Sequence, residues 1–99
     1  MSTTAKPLIA NLAPPTPTVG RVVHYQTDER GGLRYVLPAI VVRTRASSDP
    51  RGPLDELPDD TTIDLFVMSV DGASYGEAAV PFDDSDDPAP RSWHWPTRA

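Results

Sequence analysis

Hydrophobic and polar residues alternate with a period of two in several short segments of the chain, which is the pattern of half-buried strands. β-Branched and aromatic residues are frequent in these segments, and Gly, Pro and Asp occupy the stretches between them. The predicted strands cover residues 19–26, 33–45, 61–70, 74–80 and 92–95. No segment shows the periodicity of a helix of useful length, so the predicted fold class is all-β.

Three details refine this prediction. Pro38 interrupts the second predicted strand, and because proline cannot donate to a ladder, we expect an edge, a bulge or a kink between two short strands there. The third strand is apolar on both faces, which suits either the centre of a barrel or an interface. Asp71-Gly72 is a hairpin signal. Together the five strands predict a small, partly open barrel, SH3-like or OB-like.

The N-terminal segment differs from the rest in its proline content, since four of its first eighteen residues are proline. Proline excludes helix and central strand and favours an extended or polyproline conformation. Leu8, Ile9 and Leu12 are apolar anchors that are untypical of a solvated linker. We therefore expect an arm that lies along a neighbouring subunit, with a floppy tail as the alternative. The predicted organisation is an extended arm (1–18), a β-barrel domain (19–96) and a C-terminal tail (97–99).

Both tryptophans of the chain, Trp93 and Trp95, lie near its C-terminus on either side of His94. Each indole buries roughly 200 Å² when it is docked, so this segment is expected to be tied down. In an extended segment the two indoles share one face. They either complete the core of their own domain or anchor a partner, because tryptophan is enriched at interface hot spots.

Charge is distributed unevenly along the chain, whose net charge is −5. The first 46 residues carry six basic and two acidic side chains (+4), and the remainder carries three basic and twelve acidic ones (−9). Such a bipolar chain can associate head to tail or with a mosaic surface, or its charges simply keep it soluble. The chain has no cysteine, no apolar run of membrane-spanning length and no signal-peptide core, so we expect a cytoplasmic product.

Motifs for catalysis are absent from the sequence: it has no nucleophile elbow and no phosphate-binding loop. We predict no enzyme, no catalytic residue, no cofactor and no metal, although His24 and His94 with the acidic run offer a weak metal alternative. Arg43 and Arg45, near tyrosines, could form a basic aromatic face for single-stranded nucleic acid. The acidic net charge argues against that partner.

Motifs at both ends of the predicted domain resemble a family of small proteins of tailed phages of actinobacteria. The matching segments are VGRVVHY (19–25), LPAIV (37–41), LFV (65–67) and SWHWP (92–96). Members of the family typically have a VGR-V-HY opening and a WHWP ending. This chain departs from them at Ser92, where threonine is common, and at Pro38, before the Ala-Ile-Val run.

The resemblance implies a phage protein that is made in the host cytoplasm and located in the virion. We expect a capsid decoration protein or minor capsid subunit that binds the major capsid protein or another virion protein, as a homo-oligomer or in many copies. We expect neither nucleic acid nor membrane as a partner. The alternative is a non-structural binding module for a host or phage protein or single-stranded nucleic acid. The predicted partner-binding residues are Leu8, Ile9, Leu12, Arg43, Arg45, Phe66, Met68, Trp93 and Trp95.

Overall fold

The computed structural model describes residues 16–28, 32–70 and 72–96, in which five antiparallel strands form one curled sheet. The strands are β1 (Val22–Gln26), β2 (Val36–Arg43), β3 (Ile63–Val67), β4 (Tyr75–Val80) and β5 (Ser92–His94). Their order across the sheet is β4-β3-β2-β1-β5. The described residues contain no helix. The prediction of a small, all-β, partly open barrel is confirmed, and every predicted strand is present, although each is shorter than expected.

The core lies on the concave side of the sheet and is built from alternate residues of the strands. On β3, Ile63, Leu65 and Val67 are buried, as the alternation predicts. Each fully buried aliphatic side chain of this kind contributes about 1.5–3 kcal/mol to folding. The remaining members of the core come from every other strand: Val23, Tyr25, Leu37, Ala39, Val41, Val80 and Trp93.

The expected interruption at Pro38 is not found, because β2 is a single unbroken strand. Pro38 pairs with His24 on β1, and its carbonyl oxygen accepts the N–H of Met68 at 3.0 Å. Met68 is the first residue after β3, so the N–H that proline lacks falls where the β2–β3 ladder ends. The register of this ladder shifts further along, between Val41 and Arg43.

The two edge strands of the sheet, β4 and β5, are joined through the segment that follows β4. Phe82 forms a parallel bridge with Trp93 on β5. The N–H of Asp83 donates to the carbonyl oxygen of Trp93, and the N–H of Trp93 donates to that of Pro81, both at 2.9 Å. These bonds bring the β4 end of the sheet to the β5 edge and partly close the barrel.

A second irregularity, a bulge in the β3–β4 ladder, is held by one carboxylate. The register shifts between Ile63 and Leu65, and Ala79 on the opposite strand has a left-handed φ of 52°. The Ala79 N–H donates to Oδ1 of Asp64 at 2.8 Å, while Oδ2 accepts from Nε of Arg43 at 2.5 Å. Asp64 therefore ties three strands together at this end of the barrel.

The domain extends to residues before Val19. Pro17 is fully buried, and the carbonyl oxygen of Thr18 accepts the N–H of Arg21 at 3.2 Å in a turn that leads into β1. The domain therefore includes the last residues that the sequence assigned to the arm. Leu8, Ile9 and Leu12, like the tail 97–99, lie outside the described residues.

Candidate functional site

The convex side of β1–β3 is apolar, whereas the exposed side of an antiparallel sheet is ordinarily polar. Val22, Ile40 and Phe66 lie directly opposite one another on adjacent strands and form a row across the sheet. Val22 is 48% exposed and Phe66 is 44% exposed, while Ile40 is half-buried. We call this row the outer face, together with its neighbours Val36, Pro38, Val42 and Met68.

The outer face contains two of the residues that the sequence predicts to bind a partner. Phe66 is exposed at the centre of the row, and Met68 is half-buried just beyond the end of β3. Contiguous exposed apolar surface of this kind marks interaction sites in soluble proteins. An interface would explain why the second face of β3 is apolar. The role of this face in binding stays a prediction.

The remaining residues of the outer face were not recognised from the sequence. Strand alternation already places Val22 on the face opposite to Val23, and Ile40 with Val42 on the face opposite to Val41. Because valine or isoleucine occupies both faces of these strands, the pattern alone cannot show which side is exposed. That information comes from the curl of the sheet.

Two histidines border the outer face on its β5 side. His24 and His94 are paired across β1 and β5, and their rings meet edge to face with centroids 5.6 Å apart. Burial, and then His24, lower the pKa of His94, against a smaller opposing effect of Asp83 and Asp84. The net effect favours the neutral form of the His94 imidazole. In the part of the chain that the structure describes, no three His, Asp or Glu side chains group as metal ligands.

Arg43 and Arg45 do not form a shared basic face. The Arg43 side chain is only 14% exposed, and its Nη1 donates to Oγ of Ser48 at 2.7 Å and to the carbonyl oxygen of Asp55 at 3.0 Å. Its Nε donates to Oδ2 of Asp64. The guanidinium therefore connects the loop after β2 to the strand, and few of its N–H groups remain to bind a phosphate. Arg45 is exposed. The arrangement does not favour nucleic acid as a partner.

Trp93 fills the core of its own domain. Because its side chain is buried there, it cannot also serve as an anchor for a partner. The side chain is 1% exposed, and its Nε1 donates to the carbonyl oxygen of Thr61 at 2.7 Å. Phe82 packs against the indole with ring centroids 4.8 Å apart. Trp95 is half-buried, meets Trp93 edge to face at 5.3 Å, and lies 5.0 Å beneath the guanidinium of Arg21. Only Trp95 keeps surface that a partner could reach.

Comparison of the chain with protein-family models, with curated proteins and with solved structures finds no match. The resemblance to phage proteins therefore rests on the motifs alone. A search of the described residues for a helix of sufficient length and apolar character to cross a membrane finds none.

Proposed function

We propose that the protein is an auxiliary structural protein of a phage particle, a capsid decoration protein or minor capsid subunit that attaches through its outer face. The observation that carries the proposal is the exposed row formed by Val22, Ile40 and Phe66 across three strands. A protein that acts alone gains nothing from leaving such a row in water, whereas a shell surface would cover it.

The free energy that burial of the outer face could supply indicates that a second contact is needed. Complete burial of a large aliphatic or aromatic side chain is worth about 1.5–3 kcal/mol, so covering a half-exposed one yields roughly 1 kcal/mol. The seven residues of the outer face would then yield about 7 kcal/mol, which lies within the roughly 4–15 kcal/mol that association costs. Attachment through the outer face alone would be weak.

In our proposal the N-terminal arm supplies that second contact by lying along a neighbouring copy of the chain on the shell. Leu8, Ile9 and Leu12 are the apolar anchors, and the arm is tethered to the domain at the buried Pro17. Linking two weak contacts makes the second one intramolecular and raises avidity without a large interface in either place. Many copies on a regular shell would use the same pair of contacts.

The test is incorporation of a Phe66→Asp variant into particles of the encoding phage. A charge at the centre of the outer face would have to be desolvated on attachment, so we expect loss of the variant from gradient-purified particles. Leu54→Asp is the matched control, because Leu54 is 62% exposed but lies in the loop after β2, away from the outer face. It should be incorporated normally.

Both variants should keep the wild-type thermal unfolding curve, which separates loss of attachment from loss of folding. Incorporation of Phe66→Asp at the wild-type level would contradict the proposal. Binding of the wild-type chain to a cytoplasmic protein, without entry into particles, would contradict it in favour of a non-structural binding module.

A further inference from the structure

A pocket of about 500 Å³ opens at the end of the barrel where β1 finishes and β2 begins. All three tyrosines of the chain line it: Tyr25 from β1, Tyr35 from the residues before β2, and Tyr75 from the start of β4. They are far apart in sequence and are brought together only by the fold. A concave site of this volume with an aromatic lining has the properties of a ligand pocket.

The rim of the pocket is exposed apolar surface. Tyr35 is 49% exposed and Tyr75 is 39% exposed, while Leu33 and Val70 are 57% and 71% exposed. These four side chains make a second exposed apolar surface beside the outer face, and this one is concave and aromatic. Attachment through the outer face does not use it.

The floor of the pocket is polar and internally neutralised. The hydroxyl of Tyr25 donates to Oε2 of Glu77 at 2.8 Å, and Nη2 of Arg91 lies 3.2 Å from the same oxygen. Asp28 adds a further negative charge to the lining. Since the lining arginine is paired with a carboxylate, the pocket does not favour phosphates or other anions. It favours a ligand with flat apolar faces that is neutral or basic.

We propose that this pocket binds a proline-rich segment in the polyproline II conformation, and that its occupant is the chain's own arm, residues 1–15. Aromatic-lined grooves take such segments because the extended helix is preformed and loses little entropy on binding. The arm contains three prolines, and Lys6, directly before Pro7, is its only charged side chain. A single basic group complements the acidic side of the pocket.

The arm is longer than β1, the strand that lies between its attachment to the domain and the pocket. The described chain starts at Thr16, beside the buried Pro17 and before β1, whereas the pocket lies at the far end of that strand. The five residues of β1 span about 17 Å. The nine steps from Thr16 back to Pro7 span about 28 Å in polyproline II. The segment around Pro7 and Leu8 is therefore separated from Thr16 by more chain than the length of β1.

A spin label on the arm tests this proposal in the full-length chain. The sequence has no cysteine, so Ala10→Cys can be labelled with a nitroxide at that position alone. We expect paramagnetic broadening to remove the amide NMR signals of Tyr35 and Tyr75 and to spare those of Val42 and Arg45, which lie at or just beyond the other end of β2. Mixing spin-labelled chain with isotope-labelled chain then shows whether the arm binds its own pocket or that of another copy.

A pair of variants with matched exposure controls the experiment. Tyr35→Ala removes a rim aromatic and should restore the signal of Tyr75. Val42→Ala truncates an outer-face residue of the same exposure, 50%, and should leave the broadening unchanged. Broadening confined to the outer face, or broadening that Tyr35→Ala does not alter, would overturn the proposal. The test uses only purified chain, so its failure is independent of whether the protein enters particles.

Discussion

Truncation of Trp93 is the strictest test of whether β5 completes the core of the domain. Trp→Ala in a core costs about 3–5 kcal/mol through lost burial and the cavity that remains. The carbonyl oxygen of Thr61 also loses its indole donor at 2.7 Å, which adds about 1 kcal/mol. A domain of this size has a total stability of roughly 5–12 kcal/mol. Trp93→Ala should therefore lose most of the free energy of unfolding.

The assay is urea unfolding followed by far-UV circular dichroism, with Trp93→Phe as the milder variant in case Trp93→Ala does not fold. Phenylalanine keeps an aromatic ring in the core but cannot donate to Thr61, so we expect a loss of about 1–3 kcal/mol. Trp95→Ala is the control. Its indole is half-buried and its Nε1 has no hydrogen-bond partner among the described residues, so a loss of only about 1–2 kcal/mol is expected. Equal losses in the free energy of unfolding for Trp93→Ala and Trp95→Ala would refute the assignment of Trp93 as the residue that completes the core.

Three further predictions concern single side chains. Ala79→Gly should stabilise the domain by about 1 kcal/mol in thermal unfolding, because Ala79 has a left-handed φ of 52°; a lower Tm would show that the conformation is not strained. Since folding lowers the pKa of His94, the unfolded state binds the proton more readily, so stability should fall as the pH drops through about 6.5. His94→Gln should flatten that slope, and an unchanged slope would exclude His94 as its cause. Arg43→Met leaves Asp64 partly buried without its cation, so the midpoint of urea unfolding should fall by the equivalent of about 2–3 kcal/mol; an unchanged midpoint would show that the pair is not needed.

Much of the fold could be predicted from the sequence because strand alternation and turn residues are local signals. Residues 61–70 contain β3 at the predicted place, and β4 follows it as an antiparallel neighbour, although Asp71 of the predicted Asp71-Gly72 turn lies outside the described residues. The ends of strands depend instead on where the partner strand stops. Pro38 shows the difference, because it is tolerated inside β2 only where β3 has already ended. No local pattern carries that information.

The candidate sites were less predictable for a related reason. The sequence predicted that Phe66 and Met68 share the face of β3 opposite to Leu65, because side chains alternate along a strand. Their role in binding stays a prediction. The function of Trp93 could not be decided, since burial in its own core and burial in a partner require the same side chain. Tyr35 and Tyr75 were not connected with a pocket, because only the sheet topology brings them together.

The most direct measurement of the central claim is quantitative mass spectrometry of gradient-purified particles of the encoding phage. Our account predicts this chain in many copies per particle, in a fixed ratio to the major capsid protein. Complete absence of the chain from particles that are otherwise intact would contradict it.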